Sequence, residues 1–158
     1  MKTLTINNKL LITFQDSFTV LSAEERQKLN TIEQGPYECL SDQDRHILIS
    51  IGFRPLGGLF SIFLSTKDAA HNSESKISQA MQSYGFKLIE HKHISLCNND
   101  AKGFSYEYIA QGTSMYGESY VLKHDKALYY LNYYSRHELL TDNQKIWDEI
   151  LSLAKWVD

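Results

Sequence analysis

The chain has 158 residues, 42% of them hydrophobic and 22% charged. That length suits a single domain spanning 1–158, able to bury ~70% of its unfolded surface with neither disulfide nor metal. A formal net charge of -3 excludes the broad basic face of a general nucleic-acid binder and points to no particular partner.

The chain opens with a predicted hairpin, Thr3–Ile6 and Leu10–Phe14, around Asn7-Asn8-Lys9, because asparagine tolerates the positive φ of tight turns. Ser22-Ala23-Glu24-Glu25 matches a capping box, which predicts a short helix running to about Leu29. The polar stretch Asn30–Asp44, with Gly35-Pro36, reads as a long loop. From Ile47 the pattern turns to strand, with Ile47, Ile49, Ile51 and Phe53 on one face. Pro55 ends its ladder, Gly57-Gly58 reads as a turn, and Leu59–Leu64 as the returning strand with Phe60, Ile62 and Leu64 on one face.

Residues Asn72–Tyr84 switch to helical period. Ile77, Ala80, Met81 and Tyr84 form one stripe, and Gly85 sits where a left-handed residue closes a helix. A strand Phe86–Leu96 follows. Three more, Gly103–Gln111, Met115–His124 and Ala127–Ser135, are joined by links short enough to force antiparallel neighbours. Thr141-Asp142-Asn143-Gln144 matches a second capping box, opening a helix whose broad apolar face holds Ile146, Trp147, Ile150, Leu151, Leu153, Ala154 and Val157. Trp156 falls outside that stripe and is expected to pack over an edge.

Eight of the ten tyrosines lie between Tyr106 and Tyr134, within the three-stranded meander. Along its third strand, Tyr129, Leu131 and Tyr133 share one face and Leu128, Tyr130 and Tyr134 the other. A strand that is apolar on both faces is covered on both sides. With helices before and after it, the expected fold is α+β, an αβα sandwich of mainly antiparallel sheet flanked by helices on both faces.

The order of elements resembles the PsbP-like superfamily. The matching stretches are Leu10-Leu11-Ile12-Thr13-Phe14-Gln15-Asp16-Ser17-Phe18, Gly103-Phe104-Ser105-Tyr106-Glu107-Tyr108, Glu118-Ser119-Tyr120-Val121-Leu122, and Leu128-Tyr129-Tyr130-Leu131 before the final helix. That group includes the photosystem II extrinsic subunit P, the Ran-binding import factor Mog and bacterial DcrB-type proteins, and effector-associated chaperones of type VI secretion look similar. The resemblance implies the αβα fold and a role in binding or accessory work rather than catalysis. It transfers no functional residue.

Chemistry-bearing constellations are few. On an extended strand His91, His93 and Cys97 share parity, so two imidazoles and a thiolate face one way and make a partial zinc site. A fourth ligand is missing, and histidines at i and i+2 on a strand are more often solvated. Cys39 and Cys97 lie in no CxxC pattern and read as inert, reduced thiols, although an exported chain could bridge them. Gly57-Gly58 lacks the context of a phosphate-binding loop. Most of the tyrosines read as sheet packing. Tyr116, near a turn, and Tyr120 are the two expected to be exposed for partner binding.

No apolar run reaches the ~18 residues of a membrane span, and the first residues lack a secretory h-region. The expectation is therefore a noncatalytic cytoplasmic binding or accessory protein, an adaptor or chaperone for a protein partner, with no cofactor. The alternative is a metal-dependent or small-molecule enzyme using His91, His93 and Cys97. Self-association through a sheet edge is a third reading.

Overall fold

The computed structural model describes residues 1–29 and 35–157. Two strands open it, β1 (Lys2–Ile6) and β2 (Leu10–Phe14), and Asn7 and Asn8 take φ of 54° and 53° in their turn, as the asparagines predict. A short strand β3 (Thr19–Val20) precedes helix α1 (Ala23–Gln27), on which Ser22 and Glu25 form the expected reciprocal capping box. The segment read as a loop is in part a strand, β4 (Tyr37–Asp42), paired along its length with β5 (Ile47–Pro55). Residues 30–34 of that stretch lie outside the described residues.

The expected returning strand Leu59–Leu64 is instead a helix, α2 (Gly58–Phe63). The partners of β5 are β4 and the later strand β9, so no edge was left for it. Helix α3 (Thr66–Ala80) begins earlier than its apolar stripe suggests, because Ser65 caps it through the Asp68 N–H, and it closes through a 3-10 turn into Gly85 at φ 73°. Strands β6 (Lys87–Leu96), β7 (Asn99–Ala110), β8 (Thr113–His124) and β9 (Ala127–Arg136) form the antiparallel meander. The last helix, α4 (Leu140–Leu153), follows a 3-10 turn, so Thr141 lies inside it and makes no cap. The chain then turns extended at β10 (Lys155–Trp156), removing Val157 from the helical face.

The strands make two sheets, one in the order β1-β2-β10 and one in the order β3-β4-β5-β9-β8-β7-β6. The fold is α+β, built mostly from antiparallel sheet. Parity along β9 sorts its side chains as the sequence predicts. Tyr129, Leu131 and Tyr133 are buried with Ile6, Leu10 and Ile12 of the small sheet and with Trp147 and Ile150 of α4. Leu128 and Tyr130 pack with Ala69 of α3, while Ile77 of α3 packs with Phe104, Tyr106 and Tyr108. Much of the first face is thus covered by a second sheet rather than by helix. Trp156, expected over an edge, instead packs at the ends of the interior strands, its ring stacked on His124 of β8 at 3.7 Å and its indole N–H donating to Asn99 at 2.8 Å.

Candidate functional site

Helix α3 leaves part of the large sheet uncovered. It ends at Ala80, and beyond it the sheet face continues across β9 and β5 to the β4–β5 turn. One rung of that floor runs Tyr106, Gly117, Tyr134, Leu48 and Ser41 across five strands, and the next holds Tyr108, Met115 and Arg136. A Cβ at Gly117 would overlap the Tyr106 ring, so glycine is what lets that ring lie across β8.

The result is an open groove of 1120 Å³. Met81, Tyr84, Tyr108, Ala110, Met115 and Tyr134 give it an apolar, aromatic floor and wall. Asp42, Asp44, His46 and Gln111 contribute polar atoms at its margin. Burial pushes the Tyr108 hydroxyl up to about 12, so it stays a neutral donor. Burial also works to raise the Asp42 carboxyl, but hydrogen bonds from Arg45 at 2.7 Å and Ser17 at 2.8 Å outweigh it and hold the group below its ordinary range. Two thioethers and several rings make a surface that adapts to an apolar side chain, with polar groups placed to orient it.

The residues singled out from the sequence lie elsewhere. Tyr116 and Tyr120, expected at the surface, are 6% and 3% exposed. Both turn inward on β8 toward Glu118, a carboxylate that is itself only 1% exposed. The Tyr116 hydroxyl donates to Glu118 Oε1 at 2.7 Å, Trp147 Nε1 donates to Oε2 at 2.7 Å, and the Lys92 ammonium lies 3.0 Å away. Burial, then the neighbouring Glu118 charge, raises both tyrosine hydroxyls above their ordinary range. This network ties α4 and β6 to the sheet centre. The sequence offered one signal for it: Glu118 shares strand parity with Tyr116 and Tyr120.

His91, His93 and Cys97 are not brought together. His91 Nε2 sits 2.6 Å from Glu74 of α3, and His93 Nε2 3.2 Å from Asp100. Cys97 has left the strand at φ 53° and packs against the cluster on the other sheet face. The turn breaks the parity on which the shared face depended. Burial lifts the Cys97 thiol to about 11, the opposite of what a metal-ready thiolate needs. Among the described residues no group of three or more histidines, cysteines or acids is gathered as a metal ion would require.

No family model and no curated protein matches the sequence. Solved structures do match the fold. Cyanobacterial PsbP from Synechocystis aligns over 99% of this chain and 92% of its own, with a TM-score of 0.72 at 9% identity. LpqN of Mycobacterium tuberculosis, involved in cell envelope biogenesis, aligns over 94% of this chain and 83% of its own, at 0.56 and 11%. A Pseudomonas aeruginosa protein of unknown function aligns over 97% of this chain and 94% of its own, at 0.55 and 14%. The chain has a PsbP-like fold.

Proposed function

We propose that this chain is a noncatalytic binding protein of the cytoplasm, an adaptor or chaperone that holds a segment of a protein partner in the groove beside α3. We read the fold as a layered sandwich in which α3 covers one sheet face, while α4 and the small sheet cover the other. The observation that carries the proposal is the groove itself, 1120 Å³ of open volume floored by Tyr108, Met115 and Tyr134. Small-molecule pockets are typically ~300–1,000 Å³ and more closed, whereas an extended or helical peptide needs a longer trough. The tyrosines offer large contact area at low conformational cost, and methionines repack around unlike side chains. The scattered histidines and the protonated Cys97 give an enzyme of the His91–His93–Cys97 type no assembled centre.

The test is affinity capture from the native organism on the wild-type chain and on Met115→Glu, which places a charge in the groove. A protein retained by the first and lost from the second supports the reading. Equal retention by both sinks the groove as the contact surface, and a retained small molecule in place of a protein sinks the adaptor role.

A further inference from the structure

Helix α2 turns its apolar side chains to solvent. Leu59, Ile62 and Phe63 are 73%, 72% and 75% exposed. Their spacing of i, i+3 and i+4 puts them on one helical face. Single exposed apolar residues are ordinary, but three adjoining ones on one turn are not.

The helix is held in that attitude from behind. At six residues it is far shorter than the ~12–15 needed for a helix to be stable alone. Leu56 and Leu64, on either side of it, pack against Val121, Leu128 and Tyr130. The Leu56 N–H donates to the Lys126 carbonyl at 2.8 Å. The Lys123 ammonium donates to the carbonyls of Ser61 and Leu64 at the C-terminal end, where the helix dipole favours a cation. Its fastened side is the inner one, and its apolar face is left outward.

Charge around the tip has one prevailing sign. No charged residue occurs from Pro55 to Thr66, and Arg54 and Lys67 bracket that run. Lys123 and Lys126 approach from β8 and the β8–β9 turn through the contacts just described. The nearby acids are Asp68 and Asp125, and Asp125 is paired with Lys9 at 3.3 Å. This local excess of cations belongs to a chain whose net charge is -3.

An apolar tip with a cationic collar matches the interface of an anionic bilayer, where apolar insertion and Coulomb attraction add. A protein partner would need ~1,000 Å² of complementary surface with a polar rim, more than three side chains on a six-residue helix supply. We propose that α2 docks the protein peripherally onto anionic phospholipid, with Leu59, Ile62 and Phe63 entering the headgroup–acyl boundary and Lys67 and Lys126 meeting lipid phosphates. No described helix is long and apolar enough to cross a membrane, so the contact is superficial. It lies at the start of α3 and the groove at its end, which leaves the groove free.

Sedimentation of the full chain with vesicles tests this. Vesicles of phosphatidylcholine alone should leave it in solution, and vesicles with roughly one lipid in three replaced by phosphatidylglycerol should carry it down, less so in high salt. Phe63→Ser should lower the partition coefficient about tenfold with an unchanged thermal melt, because the side chain is 75% exposed in the fold. Lys67→Glu with Lys126→Glu should abolish the preference for the anionic lipid. Failure to sediment with anionic vesicles, or equal partition of wild type and Phe63→Ser, overturns the proposal. So does concentration-dependent self-association in lipid-free buffer that Phe63→Ser removes, which would make a second copy the occupant.

Discussion

Trp147 of α4 donates its indole N–H to Glu118 Oε2 at 2.7 Å, and its ring stacks on Tyr133 at 5.2 Å between centroids. One side chain thus closes the core and satisfies a carboxylate that is only 1% exposed. A buried carboxylate is tolerable only when its oxygens are bonded, and here Tyr116, Trp147 and Lys92 share that task.

Trp147→Phe should therefore cost more than its lost ring area. It leaves one Glu118 oxygen short of a donor in a site without water access and opens a small cavity. The expected destabilisation is about 2–4 kcal/mol, measured by urea unfolding. A loss of only a few tenths would mean that the carboxylate finds another donor and that the Trp147 bond is not what satisfies it.

Gly117→Ala should damage the groove and the core together. The added methyl overlaps the Tyr106 ring, which must rotate off β8 and out of its packing with Phe104 and Tyr108. We expect about 1–3 kcal/mol of destabilisation and altered binding of an apolar fluorescent dye. An unchanged melt with unchanged dye binding would contradict the geometry.

Stability should respond to pH from both ends. The folded Asp42 carboxyl sits below its ordinary value of 3.8, so its contribution is present above that value and lost as pH falls through the folded one. Asp42→Asn should flatten this acid limb. Tyr108 is raised from 10.0 to about 12, so its contribution is full below pH 10 and disappears as pH climbs through 12. Chemical denaturation at a series of pH values reads both limbs, and an acid limb identical in Asp42→Asn refutes the first.

Cys97 should react sluggishly. With its thiol raised from 9.0 to about 11, the thiolate fraction near pH 8 falls about a hundredfold below that of an unperturbed cysteine. Iodoacetamide labelling of the folded chain, followed by mass spectrometry, should show modification of Cys97 slowed by about that factor. Rapid labelling would reopen its candidacy as a ligand.

The strands were legible because burial on both faces wrote itself into the parity of Tyr129, Tyr130, Tyr133 and Tyr134, and because Asn7 and Asn8 announced their turn. Helix α2 was not legible. Its apolar residues alternate as well as they repeat at helical spacing, and a run that short fits either period. Strand β4 escaped because Ser41 and Asp42 look like loop residues, yet Asp42 is buried by Ser17 and Arg45, which only the fold brings to it. Thr141 looked like a cap, but the preceding 3-10 turn had already started the helix. The groove could not be read at all, since it exists only where α3 stops short of the sheet. Glu118 was overlooked as one polar residue among tyrosines, although its shared parity with them placed it in the same layer.

Strand β2 holds β1 along one edge and receives Lys155 and Trp156 along the other, with the Val157 N–H donating to the Lys9 carbonyl at 2.7 Å. During synthesis the β1–β2 hairpin must therefore wait with one edge bare until residues 155–157 have been made. The small sheet is completed only when residues 155–157 arrive, which gives the ribosome's product a built-in order of assembly. Until then, that edge of β2 is open to pairing with the wrong strand.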